Sequence, residues 1–432
     1  MLPQIGPHNT TFVLLSFEGP DVYSQAGGLG TRMAELGRAL AQAGYATHLY
    51  FIGDPYRPGE EVLEDGRLVL HRWAQWISVY YPNGVYHGEV DKLNEYQKSV
   101  PPHVVNEIVA PNASQGRLTV VLAEEWHMVG TVLHLDHLLH WRWMRKHTVM
   151  YWNANNTYGF NLFDWGALRN AAVTTTVSKY MKHKMWAWGV NPLVIPNGIP
   201  SRLLSPVPKA QVDALRAVFA HNIFLAKIGR YDPDKRWLMA IEAVGVLRDI
   251  GMRPKIIVRG GMEPHRNDIY NLARHLGLTW QEIHLNHPDF DTILRTLHEA
   301  SQFADIMELR FFVPEEFLRV LYAAADSVLA NSGHEPFGLV GLEVMACGGI
   351  ATTGSTGEDY AVPFNNAIVI DTEDSRELAT YLIELQSNTA LKEQMRQNGY
   401  RTAETFQWPF VIDGMVRKLQ FTAMVEGAQW NA

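Results

Sequence analysis

Thr11-Phe12-Val13-Leu14-Leu15-Ser16-Phe17, followed a short way on by Ala26-Gly27-Gly28-Leu29-Gly30, is the stretch on which the fold class turns. The almost continuous apolar run at 11–17 suits a strand covered on both faces, as in a parallel sheet. After the glycines, Leu29, Met33, Leu36 and Leu40 recur at the spacing of one helical face, and Gly44 is placed to end that helix. Ala46–Ile52 reads as the next strand. The segment is thus a β-α-β unit with glycines where strand meets helix. Backbone amides at such a junction, aided by the helix dipole, can hold an anion such as a diphosphate. A tight turn needing positive φ would equally explain the glycines. The nicotinamide-type fingerprint Gly-x-Gly-x-x-Gly is incomplete, because Met33 stands at its last glycine counted from Gly28.

Working outward, 118–122, 148–152, 173–177 and 193–195 read as further strands, and 60–112 as irregular, aromatic-rich excursions. The pattern restarts near residue 222 with Ile223–Ile228, a helical face of Leu238, Ile241, Val244 and Leu247, and strands at 255–258, Ser327–Ala330, 350–353 and 367–370. Two such series predict two doubly wound α/β domains, 1–200 and 209–407. The join falls at 199–208, where Pro200, Pro206 and Pro208 cluster. Ligands of these sheets bind beyond the carboxyl ends of the strands. With two domains, the cleft between them is the predicted site.

A chain of 432 residues, 47% of them apolar, is long enough for two cores. Its net charge of −8 argues against a general grip on nucleic acid. Cys347 is the sole cysteine, which excludes an intramolecular disulfide and suits a reducing compartment. No apolar run reaches the roughly 18 residues of a membrane-spanning helix, and no Lys or Arg precedes Arg32 to form a charged leader. These features predict a cytoplasmic protein with no integral membrane segment.

Two loops carry the chemistry. Arg230 and Lys235 flank the turn after the strand at 223–228. A guanidinium fork with an ammonium point charge suits a departing diphosphate, although a solvated surface pair has the same spacing. Glu335-Pro336-Phe337-Gly338-Leu339-Val340-Gly341-Leu342-Glu343 follows the strand at 327–330. A carboxylate there can accept hydrogen bonds from neighbouring sugar hydroxyls. Gly338 would open the amides of Gly338, Leu339 and Val340 to phosphate oxygens. Trp152, Asn153 and Asn155 follow a strand and could meet acceptor hydroxyls, or form an asparagine-rich turn. Trp73, Trp76, Tyr80, Tyr81 and Tyr86 could stack on acceptor sugars or pack a subdomain. His134, His137 and His140 spread around a helix rather than converging on a metal.

These residues resemble the retaining glycosyltransferases of the GT-B fold, glycogen-synthase-like and glycosyltransferase family 4 types. Glu335 and Glu343 have their E-x7-E spacing. Gly229-Arg230 with Lys235 is similar to their G-R-x4-K loop, and Val194-Ile195-Pro196-Asn197-Gly198, preceded by Thr176-Val177-Ser178, to their interdomain segment. Glu125-Trp126-His127 resembles the D-W-H of the glycogen-synthase-like members, and Phe406-Gln407-Trp408 the F-x-W that opens the last helix.

The resemblance implies two Rossmann-like domains facing across a cleft, with the helix 408–432 packing back on the first. It implies transfer of a sugar, a hexose by this resemblance, from a nucleotide-diphosphate sugar to a carbohydrate or other hydroxyl acceptor, with no cofactor and no metal. Arg230 and Lys235 would hold the diphosphate, Glu335 the sugar and Glu343 the ribose. Phe337, Gly338, Leu339 and Val340 would line the donor site, with Gly27 and Gly28 as its glycine loop and His127 beside the transferred sugar. Gln25 replaces the lysine of the K-x-G-G-L of bacterial and plant starch and glycogen synthases, which argues against ADP-glucose as donor. The alternatives are a nicotinamide oxidoreductase, with Asp54 as the ribose-binding acid, and a non-catalytic sugar-nucleotide sensor on the same fold.

Overall fold

The computed structural model describes residues 3–431. It forms two compact units: the chain up to Pro200 together with Gln407 onward, and Ser201–Phe406.

The first unit is built on β1 (Thr10–Leu15), β2 (Ala46–Ile52), β3 (Glu60–Leu63), β4 (Leu68–Trp73), β5 (Leu118–Glu124), β6 (Thr148–Ala154), β7 (Val173–Thr176) and β8 (Leu193–Val194), in the order β3-β4-β2-β1-β5-β6-β7-β8. Neighbours are parallel except β3, which runs antiparallel to β4. β1 is buried along its whole length because both faces are covered. Phe12 and Leu14 enter one core cluster, and Val13 and Leu15 the other, as the two-residue strand period requires. The helices that matter here are α1 (Gly28–Gln42), α2 (Gln75–Ser78), α3 (Glu89–Val104) and α4 (Val129–Trp141).

The stretch 60–112 is not irregular. It supplies two strands and α3, a sixteen-residue helix. Polar residues hid the strand β4: His71 and Arg72 are buried in it. Arg72 is satisfied there by Asp21, at 2.7 and 3.0 Å, so a charge sits where periodicity predicts an apolar residue.

The second unit has β9 (Ile223–Ile228), β10 (Pro254–Arg259), β11 (Trp280–Ile283), β12 (Ile306–Leu309), β13 (Ser327–Ala330), β14 (Ala351–Thr353) and β15 (Ile368–Val369), in the order β11-β12-β10-β9-β13-β14-β15, all parallel. Sequence pattern missed β11 and β12, which are short and carry acids. Glu308 in β12 is fully buried and is matched by Arg266, by Tyr231 at 2.8 Å and by Trp280 at 3.0 Å. Helices α5 (Trp237–Asp249) and α6 (Leu339–Ala346) follow β9 and the loop after β13.

The last helix, α7 (Trp408–Val425), belongs to the first unit. Trp408, Ile412, Met415 and Leu419 join Phe12, Leu14 and Leu122 in one cluster, and Tyr151 meets Thr422 at 2.7 Å. Gly198 makes room for this return. A Cβ there would fall 2.4 Å from the Trp408 ring, and the Trp408 amide donates to the Ile199 carbonyl. Among the described residues no helix is long and apolar enough to cross a membrane.

Candidate active site

Strand order reverses between β9 and β13 in the second unit and between β1 and β5 in the first. Each reversal opens a crevice at the carboxyl ends of the central strands, and most of the residues singled out from sequence follow one of these four strands.

In the second unit, Gly229, with φ of 154°, turns the chain out of β9. Asp232 accepts from the Asp234 amide at 2.9 Å, and Trp237 Nε1 donates to the Arg230 carbonyl at 2.7 Å. The loop is thereby fixed, and Lys235 forms an ion pair with Glu335 from the loop after β13. Both side chains keep partial access to solvent, 28% and 18% exposed. The Gly333 amide donates to the Asp234 carbonyl at 2.7 Å, locking the two loops together. Arg230 is exposed, with no side-chain partner among the described residues.

Glu335 is seated by a turn that the sequence reading did not single out. Its amide donates to Thr356 Oγ1 at 2.9 Å, and its carbonyl accepts from the Gly357 amide at 2.8 Å. A Cβ at Gly357 would lie 2.2 Å from that carbonyl, and one at Gly354 would lie 2.1 Å from the Ser332 carbonyl. The glycine pair in Gly354-Ser355-Thr356-Gly357 is the signal that could have revealed it. Next in sequence, Glu358 is buried. Burial, with the Glu335 charge added, pushes its carboxyl up to about 8. Lys227 is also buried beneath the site. Its Nζ donates to Leu329 O at 3.0 Å and Asn331 Oδ1 at 2.6 Å, and burial holds it well below the usual lysine range.

Gly338 caps α6 in the left-handed region, φ 81°, and leaves Leu339 and Val340 half-buried at the helix start. Phe337 corrects the expectation in part. Its ring is buried against Tyr360 and Phe406, so only its backbone can face a donor. Glu343 lies in α6, half-buried; burial, reinforced by Glu315, pushes it up to about 7.

In the first unit the glycine loop is already filled by an anion of the chain itself. Glu18 Oε2 accepts from the amides of Ala26, Gly27 and Gly30 at 3.2, 3.0 and 3.1 Å. Tyr86 donates to its other oxygen at 2.6 Å. The Gly27 amide is therefore spent on a buried side chain, against its expected place in a phosphate-binding loop. The space beside Gly27 and Gly28 is open, so the pair can bound a ligand but not through the Gly27 amide. Sequence alone could not pair Glu18 with amides eight to twelve residues away.

His127 follows β5. Glu125, held at φ 70°, sets the turn, a conformation that costs a non-glycine residue roughly 1–3 kcal/mol. The buried imidazole stacks between Phe17 and Trp126, at 4.3 and 3.9 Å. Its Nε2 meets Glu89 Oε1 at 2.7 Å, while Nδ1 is buried without a partner among the described residues. Burial lowers its pKa despite Glu89, so it is neutral near pH 7.

All three of the expected acceptor residues are engaged within the fold. Trp152 is fully buried, with Nε1 donating to Glu125 O at 2.9 Å. Asn153 is buried and donates to Glu124 Oε2 at 2.8 Å, as does half-buried Asn155. Glu124 in turn pairs with buried Arg32. These amides complete a closed polar network, which is how buried charges are tolerated. Among the described residues no cluster of three or more His, Cys, Asp or Glu is placed to hold a metal.

The fold defines a doubly wound α/β class of protein, with a crevice at the strand-order reversal of each sheet. Residues 216–402 match the family described as glycosyl transferases group 1, and residues 26–202 match glycosyltransferase family 4. One family match falls on each unit, and the fold is that of the GT-B glycosyltransferases. A D-inositol 3-phosphate glycosyltransferase of Thermobispora bispora is 26% identical over 50% of this chain and 47% of its own length. The chain spans about half, or less, of the length of the curated relatives it matches. Among solved structures, sucrose-phosphate synthase from Thermosynechococcus elongatus superposes with TM-score 0.68 at 18% identity, over 96% of this chain and all of that one. HepE of Anabaena, in complex with UDP and glucose, gives 0.62 at 15% identity, over 95% and 99%. At these identities the structures establish the fold.

Proposed function

We propose that the protein transfers a hexosyl group from a nucleoside-diphosphate sugar to an acceptor hydroxyl, with retention at the anomeric carbon. The carrying observation is the Lys235–Glu335 pair, which joins two loops a hundred residues apart at the strand-order reversal. A cation for the diphosphate and a carboxylate for sugar hydroxyls are thus side by side. As the glycosidic bond breaks, negative charge grows on the leaving phosphate. Lys235, with the unpartnered Arg230, neutralises it. Glu335 accepts from the sugar hydroxyls, and Glu343 is assigned to the ribose. The α6 amides at Leu339 and Val340 meet phosphate oxygens. The acceptor proton passes to the departing phosphate oxygen on the same face of the sugar, so no separate base is required. His127, neutral and with its Nε2–H given to Glu89, accepts one hydrogen bond from a sugar hydroxyl through Nδ1.

UDP-glucose, which HepE binds in a solved complex, is the first donor to test. The parent protein should be stabilised by UDP and should release UDP from UDP-glucose slowly with water as acceptor. Lys235→Ala should lose about 10²–10³ in rate. Stabilisation by no nucleoside diphosphate would refute the donor reading. Stabilisation by NADH but not by UDP or UDP-glucose would favour an oxidoreductase, and binding without turnover on any acceptor a sensor. The anomeric configuration of the first product, read by proton NMR, tests retention.

A further inference from the structure

Trp76 and Tyr80 are 64% and 74% exposed, yet they stand on a fixed piece of chain. Ala74 adopts a left-handed conformation, φ 55°, that turns the backbone out of β4 into α2. Ile77 buries itself beneath, and Gln75 ties the turn to the carbonyls of Asp54 and Arg57 at 2.6 and 2.8 Å. The two rings border a cavity of about 440 Å³, completed by Tyr81 and by Asp91, Asn94, Glu95 and Lys98. The last four lie at helical spacing along one face of α3. Tyr81 Oη donates to Asp91 at 2.6 Å, while the side chains of Asn94, Glu95 and Lys98 have no hydrogen-bond partner among the described residues.

We infer that this cavity is a carbohydrate-holding site for a neutral pyranose unit of an oligosaccharide. Flat exposed rings cover the C–H face of a pyranose. Asp91, Glu95 and Asn94 offer acceptors and an amide to its hydroxyls. Two carboxylates against one lysine disfavour phosphates, nucleotides and anionic lipid headgroups, which leaves an uncharged hydroxyl-rich ligand. The volume falls in the range of small-molecule pockets. The site is separate from the reacting centre. Glu89 and Gln97, which touch His127, lie on the other side of α3 from the cavity residues. The site therefore holds a distal part of a glycan rather than the hydroxyl that reacts. The inference goes beyond the donor reading and stands on different residues.

The test is isothermal titration of the full-length protein with three uncharged probes, maltohexaose, cellohexaose and α-1,6-mannohexaose, with phosphatidylglycerol vesicles as a parallel arm. At least one hexasaccharide should bind. Trp76→Ala with Tyr80→Ala should weaken it about tenfold or more, and Trp76→Phe should restore most of the affinity. Lys235→Ala should leave it unchanged, so a failure of the donor reading would not be mistaken for a failure here. Circular dichroism should show all variants folded, because the rings removed are exposed. The inference is overturned if none of the three sugars binds, if binding survives the double substitution, or if the rings are needed for vesicles and not for sugars.

Discussion

Replacing Glu358 by glutamine should change how stability depends on pH, with a sign and size that follow from its surroundings. The carboxyl is buried beside Glu335, and its pKa is raised from 4.5 to about 8. Between those values the folded chain keeps a proton that the unfolded chain has released. Its contribution is therefore fully present below about 4.5, declines as pH rises, and is lost above about 8. The slope is about 1.4 kcal/mol per pH unit, or roughly 5 kcal/mol across the window. Glutamine keeps the shape of the protonated acid and never ionises. Glu358→Gln should match the parent near pH 5 and exceed it near pH 8 by several kcal/mol. For a unit of this size that is a gain of about 10 °C in melting temperature. Glu125 and Glu343, also raised to about 7, are common to both proteins and cancel in the difference. Scanning calorimetry at half-unit pH steps measures it. A melting difference that stays constant between pH 5 and 8 would refute the assignment of a protonated Glu358.

Glu335→Gln should lower turnover of UDP-glucose while leaving UDP stabilisation largely intact, because the carboxylate is assigned to the sugar; equal losses of both, by thermal shift and UDP-release assay, would count against it. Arg32→Met strands the Glu124 carboxylate, 1% exposed, and should cost about 3–5 kcal/mol in guanidinium unfolding; a cost under about 1 kcal/mol would refute the pairing as the support of that carboxylate. Glu18→Ala empties the amide cradle, so inorganic phosphate should stabilise this variant more than the parent, by up to about 2.7 kcal/mol at a hundred times the dissociation constant of the cradle; a phosphate effect no larger than the parent's would show that the cradle collapses without Glu18.

The apolar runs at β1, β9 and β13, the glycines after them and the E-x7-E spacing were legible because each is a local pattern. Buried parallel strands need continuous apolar residues, and a backbone turning sharply at a strand end needs glycine. Sequence by itself thus determined two doubly wound sheets and the loops that carry Lys235 and Glu335. It misread β4, β11 and β12, because Arg72 and Glu308 are charges inside strands that become tolerable only when Asp21 and Arg266 arrive from elsewhere in the chain. It offered Asn153 to an acceptor and the Gly27 amide to a phosphate, whereas Glu124 and Glu18 take them. It passed over Lys227, Thr356 and Glu358. Each of these partnerships depends on which strands lie side by side. The tertiary structure alone decided them, because a donor or acceptor is free for a ligand only if no group brought beside it by the fold has already claimed it.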